Sequence, residues 1–223
     1  MFAGLLAIPN IEQTVRYWTN SYKVSKGDTM TKSQADRRSQ RTRRVLKDVL
    51  VQLLQTRTLQ DISIREIAEL SDISRGTFYL HFTDIFDLYQ AIEDDVVDGI
   101  TEIVQAPGPV TDEDSLERMF SAIFNYLDDH INACEALLRT DSASFLGKVF
   151  ERNKPTTKET WETLYGEDEH LRAYSYVFIS HGFAGMLKHW SSFGRIETPR
   201  QIASIVRRLL SSYSILPPQM TSC

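Results

Sequence analysis

Apolar residues recur every three or four positions along most of this chain, which is the period of an α-helix with one buried face. Val45, Leu46, Val49 and Leu50 begin the pattern, and it continues to Tyr213. It predicts helices over residues 39–55, 64–70, 75–82, 84–105, 114–130, 132–153, 170–193 and 199–213. Residues 132–153 are expected to form either one helix or two with a break at residues 140–141, and residues 155–166 to be less regular, with at most a short helix around Trp161. The sequence therefore predicts an all-α fold, with a three-helix N-terminal part followed by a larger C-terminal helical bundle.

Residues 63–82 carry the clearest local pattern. Ser63 and Glu66 have the spacing of a capping box, in which the hydroxyl accepts from a backbone N–H and the carboxylate reaches back. Asp72 lies where this helix is interrupted, and Asp tolerates the left-handed conformation that a tight turn often needs. Ser74 can then cap a second helix. Two short helices joined in this way predict a helix-turn-helix, whose second helix enters the major groove of DNA.

The second of these helices has an apolar side and a polar side. Phe78 and Phe82 are four residues apart and are expected to face inward. The residues left on the outward side are Arg75, Thr77, Tyr79 and His81. Gly76 costs a helix about 1 kcal/mol relative to Ala. A backbone that must approach another surface closely would explain that cost.

The same stretch resembles the DNA-binding half of the TetR family of one-component bacterial regulators. The residues that carry the resemblance are Ile67-Ala68, Ser71-Asp72-Ile73, Ser74-Arg75-Gly76-Thr77-Phe78-Tyr79 and His81-Phe82. Two positions depart from the family pattern. Asp72 stands where the turn usually has Gly, and Ile85 stands where the next helix usually opens with a Lys that touches a phosphate.

The resemblance, together with the basic character of residues 31–60, predicts a DNA-binding surface. The residues expected to contact phosphates are Arg43, Arg44, Ser63, Tyr79 and His81. Arg75 and Thr77 are expected to contact base edges, where an Arg can grip guanine with two hydrogen bonds. Ser74 and Gly76 complete the surface. The structural alternatives are that Tyr79 only packs and that Arg75 is a solvated cation.

Charge is distributed unevenly along the chain. The net charge is −5, but residues 31–60 hold eight basic residues against two acidic ones, a local charge of +6. Residues 84–117 hold eleven acidic residues and no Lys or Arg. Residues 31–60 are thus suited to contact phosphate, whereas the acidic residues of 84–117 would be repelled by it. The alternative is that both segments are only solvated faces.

The order of these features predicts the domain organisation. Residues 1–32 are expected to be a disordered extension, with Met30 as a possible true start and a short helix over residues 11–22 as the alternative. Residues 33–41 are expected to be a flexible basic arm at the start of a DNA-binding domain over residues 33–83. Residues 84–216 are expected to form an effector-binding and dimerisation domain, and residues 217–223 a tail.

The predicted helix over residues 170–193 is apolar almost all the way round, so it must be covered on two sides. One side is assigned to the core of the chain and the other to a second copy. Residues 178–194, with residues 126–130 upstream, resemble a C-terminal subgroup of the TetR family, which implies a homodimer through the last two helices. The residues expected at this interface are Phe178, Gly182, Gly185, Trp190, Ile202 and Leu209.

The resemblance also implies a small-molecule effector that binds between the helices of the C-terminal domain. The residues that could line its pocket are Tyr126, His130, Phe145, Trp161, Tyr165 and His181. Aromatic residues at helical spacing more often belong to the core than to a ligand site. The sequence names no ligand.

Catalytic, metal and membrane patterns are weak or missing from the sequence. His130 and Cys134 are spaced to share one helix face, but such a pair arises by chance far more often than as metal ligands. No phosphate-binding glycine loop, zinc-type cysteine pair or nucleophile elbow occurs. Two cysteines suit a reducing cytoplasm, and no apolar run could cross a bilayer. We therefore expect no enzyme activity, cofactor, metal or membrane contact.

These observations predict a regulator that binds double-stranded DNA as a homodimer, at a pseudo-palindromic operator, and represses transcription. An activator of the same fold has the same sequence features. A third possibility is a protein-interaction module without DNA binding, in which the acidic residues 84–117 dock a basic partner. The absence of a Lys at Ile85 is the observation that favours that possibility.

Overall fold

The computed structural model describes residues 32–106, 112–165 and 168–212. The α-helices within these residues are α1 (Lys32–Leu54), α2 (Ile64–Leu70), α3 (Arg75–Tyr79), α4 (Ile85–Gln105), α5 (Glu113–Asp129), α6 (Ile131–Tyr165), α7 (Glu169–Ser192) and α8 (Pro199–Ser212). One 3-10 turn, Leu59–Asp61, lies between α1 and α2. The predicted all-α fold is confirmed. The expected N-terminal extension and C-terminal tail, and the loop over residues 107–111, lie outside the described residues.

The helix α1 starts earlier than the sequence pattern indicated. It begins at Lys32, so the prediction of a flexible arm over residues 33–41 is wrong. No Gly or Pro interrupts residues 32–54, and the Arg, Lys, Gln and Ala residues of this segment have high helix propensity. An apolar stripe begins only at Val45, so a pattern based on apolar period alone misses the polar first turns.

The chain divides into two compact units, and the described part of unit 1 is residues 32–92. In unit 1, α1 packs against α2 and α2 packs against α3. Its fully buried apolar side chains include Leu46, Leu50, Ile67, Phe78 and Leu88. The division falls inside α4 instead of at residue 83, because the first turns of α4 contribute buried residues to unit 1.

Unit 2 starts at Glu93 and holds the rest of α4 and helices α5 to α8. The helix α5 packs along α8, and α6 packs against α7. The fully buried apolar side chains of this unit include Phe124, Leu127, Leu137, Phe145 and Trp190.

The helix α6 contains one break and one unexpected continuation. Asp141 has non-helical dihedrals (φ −154°, ψ 83°), and its Oδ1 accepts a hydrogen bond from the backbone N–H of Ser144 at 3.0 Å. The break expected at residues 140–141 is thus confirmed. The irregular segment expected over residues 155–166 is wrong, because α6 continues through Pro155 to Tyr165. No glycine lies between residues 148 and 165, and one proline removes a single backbone donor.

No helix within the described residues combines the length and the apolar character needed to cross a bilayer.

Candidate nucleic-acid interface

Side-chain caps fix where α2 and α3 begin. The Ser63 hydroxyl accepts from the backbone N–H of Glu66 at 3.2 Å, and the Ser74 hydroxyl accepts from that of Thr77 at 3.0 Å. Both serines have extended backbone dihedrals, as N-cap residues do. A cap of this kind contributes about 1 kcal/mol. The two helix starts predicted from the sequence are confirmed.

The turn between these helices depends on a left-handed residue. Asp72 has φ +52°, which few residues other than glycine adopt. The backbone N–H of Ile73 donates to the carbonyl of Ala68 at 3.0 Å, so the chain reverses tightly over the end of α2. Asp72 therefore performs the role for which related turns often use glycine.

The Glu66 carboxylate does not complete the box that the sequence predicted. It accepts instead from the Arg57 guanidinium, whose other nitrogen donates to the Asp61 carbonyl. The predicted second half of the capping box is wrong. A nearby cation is a stronger partner for a carboxylate than a backbone N–H, which explains the exchange. Arg57 thereby joins the segment before α2 to the first turn of α2.

The helix α3 has one buried side and one open side. Phe78 is fully buried, whereas Tyr79 is half exposed and Arg75 and Gly76 are exposed. Thr77 is partly buried, and its hydroxyl is 2.9 Å from the Ser74 hydroxyl. The outward side expected from the sequence is thus present, with Thr77 at its edge.

Gly76 is not required by crowding within the chain. A Cβ added there would meet the Ser74 hydroxyl oxygen at 3.7 Å, which is an ordinary contact. The cost of a glycine in this short helix is therefore not explained by the rest of unit 1.

Arg43 lies beside the end of α3. Its Nη1 donates to the carbonyl of His81 at 3.2 Å, and its guanidinium carbon lies 4.5 Å from the centroid of the Phe82 ring. Burial and the nearby Arg43 charge lower the pKa of His81 from its usual value, which favours the neutral imidazole. The pair thus offers one fixed cation and one neutral hydrogen-bonding ring.

Arg44 is held more loosely than Arg43. Its side chain is 81% exposed, and its Nε lies 4.0 Å from the Asp48 carboxylate. Exposed ion pairs of this kind contribute little to stability, so the cation can exchange Asp48 for a phosphate at small cost.

The residues expected at a dimer interface fall into two groups. Phe178 and Leu209 are 64% and 42% exposed, and Gly182 and Gly185 are exposed. Four other large apolar residues of α7 and α8, to which the sequence pattern gave no place at the interface, are also exposed: Leu171, Tyr174, Val177 and Ile205. Leu171, Tyr174, Phe178, Gly182 and Gly185 recur at helical spacing, so they form one stripe on α7, here called the α7 stripe.

Trp190 and Ile202 do not belong with this group. Trp190 is 1% exposed and Ile202 is 6% exposed within a single chain. The Trp190 ring packs edge-on against Phe124, and its Nε1 donates to the Glu197 carbonyl at 2.8 Å. Their assignment to a surface between two copies is wrong, because the core of unit 2 already covers both side chains.

The residues expected to line an effector pocket have different surroundings. Phe145 is fully buried in the core, and His181 is exposed, with its Nδ1 2.8 Å from the Val177 carbonyl. Tyr126 stacks on His130 with ring centroids 4.2 Å apart, and its hydroxyl donates to the Asp95 carbonyl at 3.2 Å. The side chains of Trp161 and Tyr165 lie outside the described residues. Of the expected lining residues whose side chains are described, the structure brings together Tyr126 and His130.

Unit 2 also contains an open cleft and a buried thiol. An open cleft of about 260 Å³, below the usual size of a ligand pocket, lies beside Asp128 and residues 194–199 and includes none of the expected lining residues. Burial raises the pKa of the Cys134 thiol to about 12. Among the described residues, no three His, Cys, Asp or Glu side chains are grouped to hold a metal ion.

Two protein-family models match the chain. The model of bacterial regulatory proteins of the tetR family matches residues 48–92, and that of a transcriptional regulator C-terminal region matches residues 114–212. An uncharacterized HTH-type transcriptional regulator of Bacillus subtilis (strain 168), YxbF, is 36% identical over 55 residues. That match spans 25% of this chain and only 14% of the relative.

Solved structures of regulators share the fold. A TetR-like transcriptional regulator from Rhodococcus sp. RHA1 has a TM-score of 0.60 at 16% identity, over 83% of this chain and 98% of that one. The fatty acid degradation regulator FadR from Bacillus halodurans has a TM-score of 0.56 at 19% identity, over 76% of this chain and 94% of that one. At these identities the likeness concerns the fold alone.

Proposed function

We propose that this chain acts as a homodimeric repressor at a pseudo-palindromic operator. The chain belongs to the TetR family of bacterial regulatory proteins and is a DNA-binding transcriptional regulator. The observation that carries the proposal is the open side of α3. There Arg75, Gly76 and Tyr79 are exposed while Phe78 anchors the opposite side in the core.

In the proposed complex, α3 lies in the major groove with Arg75 and Thr77 at base edges. Ser74 is already hydrogen-bonded to Thr77. It therefore fixes the Thr77 side chain and the start of α3 instead of contacting a base itself. Gly76 lets the backbone approach the groove. Base contacts of this kind supply specificity, whereas phosphate contacts supply position.

The proposed phosphate contacts surround α3. Arg44 is exposed on α1, Arg43 is fixed beside His81, and Ser63 starts α2. The half-exposed Tyr79 hydroxyl is the fourth donor. Each cation that neutralises a phosphate releases condensed counterions, so binding should weaken steeply as salt is added.

The α7 stripe supports the homodimer. Its large apolar residues are exposed in the single chain, and exposed apolar patches on soluble proteins mark interaction sites. A two-fold dimer presents two copies of α3 and so selects two half-sites about one helical turn apart. Repression needs nothing more than occupation of such an operator, whereas activation needs a further surface for the polymerase.

We also propose that a small molecule bound by unit 2 controls release from the operator. The part of the expected lining that supports this is the stacked pair of Tyr126 and His130, because Tyr126 is half-buried and lies over Gly99 of α4. A Cβ at Gly99 would overlap the Tyr126 ring, so this contact ties α5 closely to α4. A ligand that moved the ring would act directly on α4.

Salt-dependent binding of duplex DNA tests the DNA-binding function. The purified chain is titrated into a fluorescent duplex at several salt concentrations, and binding is followed by anisotropy. We expect log K to fall linearly with log salt at a slope of roughly −4 or steeper, since about four or more phosphates are neutralised per dimer. Absence of binding to every duplex tested at low salt would instead favour the protein-interaction module without DNA binding.

Replacing two arginines separates specificity from affinity. Arg75→Ala should lower discrimination at one base pair by about 10-fold, because a base contact of 1–3 kcal/mol is lost, and should leave the salt slope nearly unchanged. Arg44→Ala should weaken binding to all sequences alike. It should also flatten the salt slope by about one per subunit, because one phosphate contact is lost. Competition between single-base variants of the site measures the discrimination, and the titration at several salt concentrations measures the slope. The assignment of roles is wrong should the two variants behave identically.

A further inference from the structure

Leu80 is a large aliphatic residue that the core of unit 1 leaves uncovered. Its side chain is 81% exposed, although it comes directly after α3. Its backbone still has helical dihedrals (φ −73°, ψ −16°), and its N–H donates to the Gly76 carbonyl at 3.3 Å. Leu80 therefore extends the helical surface of α3 by one residue.

Helical geometry places Leu80 in the middle of the open side. Successive residues of an α-helix are about 100° apart, so Gly76 and Leu80 each lie about 160° from Phe78 around the axis. Phe78 is the fully buried residue of this helix. Gly76 and Leu80 are thus the two residues opposite the core. Tyr79 lies on one side of them, with Arg75 beyond it, and Thr77 lies on the other side.

Gly76, one helical turn before Leu80, has no side chain that could obstruct the side chain of Leu80. Side chains of a helix lean toward its N-terminus, so Leu80 leans over the position four residues earlier, which is Gly76. The nearest atom to a Cβ at Gly76 would be the Ser74 hydroxyl oxygen at 3.7 Å. Leu80 is therefore the aliphatic group at the centre of the open side of α3, and the half-exposed Tyr79 and the polar Thr77 flank it and Gly76.

We infer that Leu80 contacts the C5-methyl group of a thymine in each half-site, and this inference rests on the proposed function. The cations Arg43 and Arg44 match phosphates, and Arg75 and Thr77 match hydrogen-bonding base edges. The thymine methyl is the one apolar group that base pairs present in the major groove. An aliphatic residue at the centre of the groove-facing surface fits that group and no other on the base edges.

Deoxyuridine, which lacks only this methyl group, is the probe. The duplex that binds most tightly is prepared with each thymine replaced in turn, and the wild-type chain and Leu80→Ala are titrated against the set. For the wild type, we expect one thymine per half-site whose replacement weakens binding about 4-fold, since burial of one such group contributes about 0.8 kcal/mol. Replacement in both half-sites should weaken binding about 15-fold.

Leu80→Ala should bind the thymine duplex as weakly as the wild type binds the doubly substituted one, with no further loss on substitution. Ile196→Ala is the matched control, because Ile196 is 83% exposed but lies in unit 2. It should keep the full deoxyuridine effect. Since both residues are exposed, neither change should alter the melting temperature.

The outcomes separate the inference from the function on which it rests. Tight, salt-dependent binding with no effect of any deoxyuridine, or an effect that Leu80→Ala retains, overturns the thymine contact and leaves the DNA-binding function standing. Failure of the wild type to bind any duplex overturns both.

Discussion

Replacing Lys148 by methionine should lower the free energy of unfolding by about 3 kcal/mol, because it leaves a buried carboxylate without its partner. Glu93 on α4 is 2% exposed, and its carboxylate pairs with the Lys148 ammonium of α6. The Asp94 carboxylate lies 3.6 Å from the same ammonium. Lys148 is 39% exposed, so water reaches part of the site and the loss should fall at the lower end of the range for buried pairs.

Denaturation by urea, monitored by circular dichroism, measures this loss. Burial disfavours the charged form of Lys148, but the hydrogen bonds and charges of Glu93 and Asp94 together outweigh it and raise the pKa of the ammonium. The double variant Glu93→Gln with Lys148→Met should recover most of the stability, because no buried charge then remains.

Arg152→Met is the matched control for the Lys148 variant. It breaks the Arg152–Asp98 pair between the same two helices, at 2.8 Å, but both of those side chains are more than half exposed. This change should cost less than about 1 kcal/mol. Equal losses for the Lys148 and Arg152 variants would show that burial of Glu93 does not govern the energetics of this contact.

Replacing Phe178 by aspartate should convert the proposed dimer into a monomer and weaken operator binding at least about 100-fold, because the second half-site is no longer bound intramolecularly. Phe178 lies within the α7 stripe and is 64% exposed in the single chain. A buried charge without a partner is costly in any interface that covers this stripe. Sedimentation velocity measures the mass, and anisotropy measures the affinity for the operator.

Phe193→Asp provides a control of the same exposure. Phe193 is also 64% exposed, but it lies beyond the end of α7 and stacks on His189 with ring centroids 4.3 Å apart. This variant should remain dimeric and bind the operator as the wild type does. A dimeric Phe178 variant, or a monomeric Phe193 variant, would place the interface elsewhere on unit 2.

Local chemistry made the fold of unit 1 predictable. The caps at Ser63 and Ser74 and the left-handed Asp72 each depend on a few neighbouring residues, so the sequence determines them directly. Thr198 and Gln201 form a capping box at the start of α8, which depends on neighbouring residues in the same way. These features position α3, and with it most of the candidate interface.

Features that depend on tertiary contacts were not predictable from the sequence. A helix that is apolar all round does not show which side meets its own chain, and Trp190 was therefore assigned to the wrong surface. Ile202 lies on α8, which packs along α5 of the same chain, so its apolar side chain is buried there. Glu66 has a cation within reach only because the chain folds Arg57 back onto α2. The sequence pattern assigned no role to Leu80, because only its exposure in the folded chain distinguishes it from a core residue.

Selection of bound duplexes from a random pool tests the central claim most directly, since it asks at once whether the chain recognises sequence and whether it does so as a symmetric pair. The account predicts enrichment of an inverted repeat whose half-sites are centred roughly one helical turn apart, or slightly more. A pool that stays random after repeated rounds, or one that yields a single half-site without a symmetric partner, would contradict it.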